Sequence, residues 1–248
     1  MPTKPTPPEN TNPIPSVWTR RQRETQQPAL TRTAIVREAV AMLDADGIEA
    51  LSMRKLGARL NAGATSLYRH VATKEELMEL AVDEVCAEIL VPSPDLARKD
   101  WRAAVTEAAA SFRTTALNHP WLSSVLGQAG LAYLGPNLMS FSEQLAALFT
   151  AAGFPEPTRA IDTVVTYVIG MSTTEAAWLT TVARSGETEA AFIARLMPAA
   201  QQAAADHDHL TEAYATAVTP LDPAEIRDTK FTYGLDVILD GLALRLPH

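Results

Sequence analysis

The sequence predicts an all-α protein: a small N-terminal three-helix unit followed by a larger helical body. Three observations carry that prediction. Apolar residues fill 47% of the 248 positions and are mainly Ala and Leu, both strong helix formers. They recur at three- and four-residue spacing, with few stretches that alternate with period two. Capping residues stand where such helices would begin and end.

Six of the first 17 residues are proline, and almost none could join a core, so residues 1–28 read as a disordered leader. The leader ends in a basic arm, Trp18 to Pro28, carrying Arg20, Arg21 and Arg23. Thr31 can cap a first helix along which Ile35, Val36, Ala39, Val40 and Leu43 share a face, with Gly47 as its C-terminal stop. Ser52 caps a second, with Leu56 and Leu60 on one side; Asn61-Ala62-Gly63 makes a tight turn. A short third helix, about Ala64 to Val71, turns Leu67 and Val71 inward. Thr73 and Glu76 form a capping box, in which each side chain satisfies the other end's backbone amide. The helix it opens is expected to run through Leu77, Ala81, Val85 and Ile89 until Pro92, and Pro92-Ser93-Pro94 reads as a break.

In the body, Asp100 caps a helix to about Asn118, and Pro120-Trp121 opens a short one. Pro136 suits the first turn of the next, which ends near Gly153. A long apolar helix is expected from Pro157 to about Arg184 and a further segment over residues 187–197. A polar stretch follows from Gln201 to Asp208, then a last helix from Pro223 to about Leu246. The functional division is residues 29–75 for the three-helix unit and 76–248 for the connecting helix and body.

Net charge is −8, but it is unevenly spread. From Trp18 to Lys74 ten basic residues face five acids, whereas residues 81–248 hold 10 basic and 20 acidic residues. A basic segment on an acidic body suits a nucleic-acid reader with a separate second domain. One cysteine, Cys86, excludes an intramolecular disulfide. The stretch from Val164 to Ala183 is interrupted by Glu175 and several threonines, so it reads as a buried helix and not a membrane span. With no apolar signal run at the N-terminus, the expectation is a cytoplasmic protein without a membrane partner. No Ser/His/Asp signature, phosphate-cradling loop or metal-ligand cluster appears, so neither an enzyme nor a cofactor is expected. His207-Asp208-His209 is the nearest thing to a metal motif. On a helix its two histidines would face different ways, and a polar loop is the better reading.

The informative segment is Leu51 to Leu77. Two short helices joined by a glycine-containing turn, packed on a preceding amphipathic helix, make a helix-turn-helix. Its second helix enters the major groove of DNA. With Leu56, Leu60, Leu67 and Val71 inward, Thr65 and Arg69 are candidates for base edges. Arg69 offers a two-pronged donor to guanine, Thr65 a hydroxyl or a methyl. Ser52, Arg54, Ser66, Tyr68, His70 and Lys74 are candidates for phosphates or for positioning. Tyr68 could instead pack on the first helix, His70 could bond within the unit, and Lys74 could be a solvated cap residue. Arg20, Arg21 and Arg23 either reach a minor groove or form a free tail.

Gly63-Ala-Thr-Ser-Leu-Tyr-Arg-His-Val71 followed by Lys74-Glu-Glu-Leu77 resembles the DNA-binding signature of the tetracycline-repressor (TetR) family. Asp100-Trp101, His119-Pro-Trp121, Gly135-Pro-Asn137 and the run Phe231 to Gly241 resemble landmarks of the tetracycline-repressor body. The resemblance departs at Ala64, which offers only a methyl where some members place a base-reading side chain. It implies a homodimer on a palindromic double-stranded operator, released when a small-molecule effector enters the body. It also implies a dimer seam formed by the segments Pro157–Arg184 and Pro223–Leu246. A pocket for that effector should be largely apolar with a few polar groups. Trp101, Phe112, His119, Trp121, Phe141, Tyr167, Met171, Glu175 and Trp178 are its candidates, each also able to serve as plain core. Tyr167, Met171, Glu175 and Trp178 share one helical face, and a carboxylate there needs either an edge of the buried region or a polar partner. Alternatives are an activator or dual regulator, and an all-helical binding protein whose DNA unit is vestigial.

Overall fold

The computed structural model describes residues 30–129, 134–216 and 222–247; the leader and the arm with Arg20, Arg21 and Arg23 lie outside them. The described residues form twelve α-helices and no strand. The N-terminal head comprises α1 (Arg32–Asp46), α2 (Met53–Arg59) and α3 (Ala64–Leu67), and α4 (Lys74–Cys86) leads out of it. The body holds α5 (Pro94–Lys99), α6 (Trp101–Asn118), α7 (Leu122–Ala129), α8 (Pro136–Ala151) and α9 (Pro157–Ser185). It closes with α10 (Glu189–Ala203), α11 (Asp208–Thr216) and α12 (Pro223–Ala243).

Local chemistry starts most of these helices. The side chains of Thr31, Ser52, Thr73 and Asp100 each accept a hydrogen bond from the backbone amide three residues on, satisfying a donor the helix leaves open. Glu76 reaches back as expected, but to the amide of Ala72 at 2.9 Å, one residue before the cap.

Three boundaries and one added helix differ from the sequence expectation. α3 is regular only to Leu67; the next residues coil on, with the amide of Val71 still donating to the Leu67 carbonyl at 3.0 Å. α4 stops at Cys86, well before Pro92. The amides of Glu88 and Ile89 turn back three residues, and that of Leu90 donates to Ser111 Oγ on α6 at 2.8 Å, drawing the chain onto the body. α5, absent from the expectation, starts at Pro94 in the first-turn position that tolerates a missing amide. α10 continues through Pro198 to Ala203, so much of the polar stretch is helix, and His207-Asp208-His209 lies at the start of α11.

α4 is buried along nearly its whole length because it packs on α1 on one side and α8 on the other. Two of its buried acids hold the segment that leads into α8. Glu79 accepts from the amide of Leu134, and Asp83 accepts from the amides of Asn137 (2.8 Å) and Leu138 (3.0 Å) and from Asn137 Nδ2. Burial pushes the Asp83 carboxyl above its ordinary range, against those same backbone amides, which favour the ionised form. Gly135 lies so close to Asp83 that a Cβ there would overlap the carboxylate. The Gly135-Pro136-Asn137 landmark is therefore the seat of an α4 side chain.

Cys86 is 2% exposed, and burial pushes its thiol up to about 12. At neutral pH it stays protonated and shielded. The native protein is expected to leave a disulfide-exchange reagent such as Ellman's unreacted, releasing one thiol equivalent per chain on denaturation. Immediate reaction of the native form would contradict this burial.

Candidate nucleic-acid interface and effector cavities

In the head, α2 and α3 meet through a turn that depends on two residues. Asn61 adopts φ 49°, a left-handed conformation that asparagine tolerates well. Gly57 lets the turn close: the amide of Ala62 donates to the Gly57 carbonyl at 2.8 Å, and a Cβ on Gly57 would stand 2.7 Å from the Ala62 carbonyl oxygen. Leu56, Leu67 and Val71 are fully buried behind this turn, while Leu60 packs against the core at partial exposure. Arg59 pairs with Glu38, bracing α2 on α1.

The opposite face carries the predicted DNA contacts. Arg54, Thr65 and Arg69 are exposed, and Ser66, His70 and Lys74 are half-buried. Tyr68 is 52% exposed, so its ring is not a core element of the described chain. Ser52 Oγ is engaged as the α2 cap, accepting from the amide of Lys55 at 3.3 Å. Lys74 Nζ lies 3.4 Å from the Ile48 carbonyl and so spans the head from the start of α4. Lys55, which stands exposed beside Arg54, was not singled out from the sequence; only the basic count pointed to it.

A second polar cluster joins head to body. Asp44, in the last turn of α1, accepts from Trp121 Nε1 at 2.7 Å, and its Oδ1 lies 2.8 Å from His119 Nδ1. The other ring nitrogen of His119 lies 3.2 Å from Glu88 beyond the end of α4. Both His119 and Trp121 are buried. The His119-Pro-Trp121 landmark thus contacts the head directly.

The candidate effector residues fall in four places. Met171, Glu175 and Trp178 line a cavity of about 240 Å³ between α9, α10 and α12, together with Ile193, Ile226, Arg227 and Lys230. Phe112 and Phe141 stack edge to face with centroids 5.7 Å apart, beside a void of only about 20 Å³ between α6, α8 and α9. Trp121 lines a groove of about 600 Å³ between head and body. Trp101 and Tyr167 are core pieces: Trp101 stacks on Phe154 at 5.1 Å, and Tyr167 donates to the Phe231 carbonyl at 2.7 Å, in the space Gly234 leaves open.

Glu175 has its polar partner within the protein. Arg113 donates to it twice, from Nε (2.8 Å) and Nη2 (2.7 Å), and Arg227 Nε adds a third bond at 3.0 Å. Arg113 also pairs with Asp228 at 2.8 Å, while Arg227 pairs with Glu189, which accepts from Trp178 Nε1 at 2.6 Å. The hydrogen bonds that Arg113 donates to Glu175 raise its pKa above the ordinary value, in keeping with a permanent ion pair. Residues far apart in sequence build this network, and the helical spacing of α9 disclosed only one wall of it.

Comparison with known proteins agrees with this architecture. Residues 35–81 match the family described as "Bacterial regulatory proteins, tetR family", and residues 93–246 match "Tetracyclin repressor-like, C-terminal domain". The chain belongs to the TetR family of helix-turn-helix transcriptional regulators. It is 40% identical over 166 residues to an HTH-type transcriptional regulator of Saccharopolyspora erythraea, covering 66% of this chain and 69% of that one. It is 33% identical over 231 residues to the HTH-type transcriptional repressor DrrR1 of Streptomyces coeruleorubidus, covering 90% of this chain and 81% of DrrR1. Among solved structures, ActR from Streptomyces coelicolor in complex with actinorhodin superposes with a TM-score of 0.68 at 31% identity, covering 87% of this chain and 97% of ActR. These relatives are regulators and not enzymes. No helix among the described residues is long and apolar enough to cross a membrane.

Proposed function

We propose that this protein is a cytoplasmic repressor that binds a palindromic operator as a homodimer and releases it when a small molecule occupies the body. The observation that carries the proposal is the division of the helix-turn-helix into a buried face, Leu56, Leu67 and Val71, and an exposed face bearing Thr65, Tyr68 and Arg69. Such a unit has its reading side chains free and its frame held. Thr65 and Arg69 read bases; Arg54, Ser66, Tyr68, His70 and Lys74 hold or approach phosphates, and Ser52 positions α2.

Dimerisation is supported by the exposed apolar side chains of α12, with Tyr233 73% and Val237 55% exposed. Tyr233 and Val237, four residues apart, lie on one face of the helix, a placement that suits a protein interface, and two heads together contact enough DNA for useful selectivity. An effector is supported by the ActR complex with actinorhodin and repression by the name of DrrR1.

The test is a fluorescence-anisotropy titration against DNA flanking the protein's own gene, with unrelated DNA as competitor at fixed salt. Arg69→Ala is expected to weaken binding by about 1–3 kcal/mol, roughly 5- to 150-fold, and to relax selectivity at one base position. A variant as tight and as selective as the parent would remove Arg69 from base reading.

A further inference from the structure

Building on the reading of the protein as effector-responsive, we infer that the groove between head and body is a second ligand site, suited to an apolar, flat molecule carrying a protonated amine. The groove encloses about 600 Å³, within the size range of small-molecule sites. One wall belongs to the head: Leu43 to Ile48, the last turn of α1 and the turn beyond it. The other belongs to the body: Leu117, Pro120 and Trp121 from the α6–α7 junction, and Leu179, Ala183 and their neighbours on α9.

Its chemistry favours a cation at the head side. α1 ends with Asp44 and Asp46 in a last turn that contains no basic residue. The carbonyl end of a helix is already negative, and carboxylates there deepen that potential where a cation would normally sit. Asp44 is half-engaged by His119 and Trp121, whereas Asp46 is exposed and has no partner among the described residues. Trp121, Leu117, Pro120 and Leu179 supply the apolar surface, and Arg184 on α9 is the one cation among the groove's described lining residues. Because Asp44 belongs both to the groove and to the Asp44–His119–Trp121 cluster, an occupant that draws on its carboxylate competes with the contact that sets the head on the body. This site is separate from the α9–α10–α12 cavity and its arginine–glutamate network.

The test uses rhodamine 6G, a flat aromatic cation, titrated by anisotropy against the full-length protein without DNA, with fluorescein as its anionic counterpart. Rhodamine 6G is expected to bind saturably and more tightly than fluorescein. Asp46→Asn should weaken it about three- to tenfold, and Leu179→Trp, which intrudes on the groove's apolar wall, should also weaken it. Thr174 lines the other cavity, and Thr174→Trp, which intrudes on it, should leave the binding unchanged; the melting curve of each variant verifies folding. Absence of saturable binding, equal binding of both dyes, or binding unchanged by Leu179→Trp would overturn the groove as a site. Binding lost only in Thr174→Trp would also overturn it while leaving the effector-responsive reading standing, since the ligand would then occupy the α9–α10–α12 cavity.

Discussion

Replacing Gly57 with valine is expected to weaken selective operator binding at least tenfold while the body stays folded. A Cβ at this position would stand 2.7 Å from the carbonyl oxygen of Ala62 and 3.5 Å from the Ala64 amide nitrogen and from Leu67 Cδ1. The first two are backbone atoms of the turn and of α3, so no rotamer change relieves the overlap. The turn must open, and the hydrogen bond from Ala62 to Gly57 goes with it. Overpacking of this kind costs about 1–3 kcal/mol. The larger consequence is geometric: α3 moves as a unit, and with it Thr65 and Arg69. Gly57→Ala should show the same defect in milder form. The expected result is at least a tenfold loss in an anisotropy titration (about 1.4 kcal/mol), with helical circular dichroism retained. A valine variant that binds as tightly as the parent would show that the turn does not position the reading helix.

The second large effect is expected at Glu175. Its carboxylate is 7% exposed and takes three hydrogen bonds from Arg113 and Arg227, whose side chains are 14% and 22% exposed. Glu175→Ala leaves two mostly buried guanidinium groups with only Asp228 and Glu189 as counter-charges. Breaking a buried pair from one side costs about 3–5 kcal/mol, because the remaining charge is uncompensated. In a chain of this length that corresponds to a fall of about 10 °C in the melting temperature. Glu175→Gln, which keeps the shape and one acceptor, should lose less. A change below about 1 kcal/mol in Glu175→Ala would mean that water or a rearranged Glu189 serves the arginines equally well. Because α6, α9 and α12 all contribute to the network, the destabilisation should fall on the body and leave the head's local structure intact.

What the sequence disclosed follows from the range of each interaction. The caps at Thr31, Ser52, Thr73 and Asp100 are bonds between residues three apart, and they could be named before the fold was known. The inward positions of the head were equally legible, because helical periodicity alone places Leu56, Leu67 and Val71 on one side. Tyr167, Met171, Glu175 and Trp178 were grouped for the same reason, and only the last three line the cavity, Tyr167 bonding to the Phe231 carbonyl instead. Their partners Glu189, Ile226, Arg227 and Lys230 come from two other helices, and no local pattern points to them.

The missed contacts are long-range, whereas α5, which opens at Pro94, and the run of α10 through Pro198 are local misses. Trp121 meets Asp44 across 77 positions, Glu175 meets Arg113 across 62, and Asp83 meets Asn137 across 54. The early end of α4 belongs here too, because the bond that draws the chain away runs from Leu90 to Ser111. Landmarks such as His119-Pro-Trp121 and Gly135-Pro-Asn137 were visible as sequence. Their work, seating the body on the head and on α4, became clear only with the fold.

The central claim, a dimeric and sequence-selective reader of DNA, is tested most directly by selection from a random duplex library at fixed salt, with and without the Arg69→Ala change. The expected enriched sequences are inverted repeats whose half-sites lie a whole number of helical turns apart, about 10 base pairs or a multiple. Arg69→Ala should blur one position in each half-site symmetrically. Enrichment of nothing beyond the input, or of a single asymmetric site indifferent to Arg69, would contradict the account.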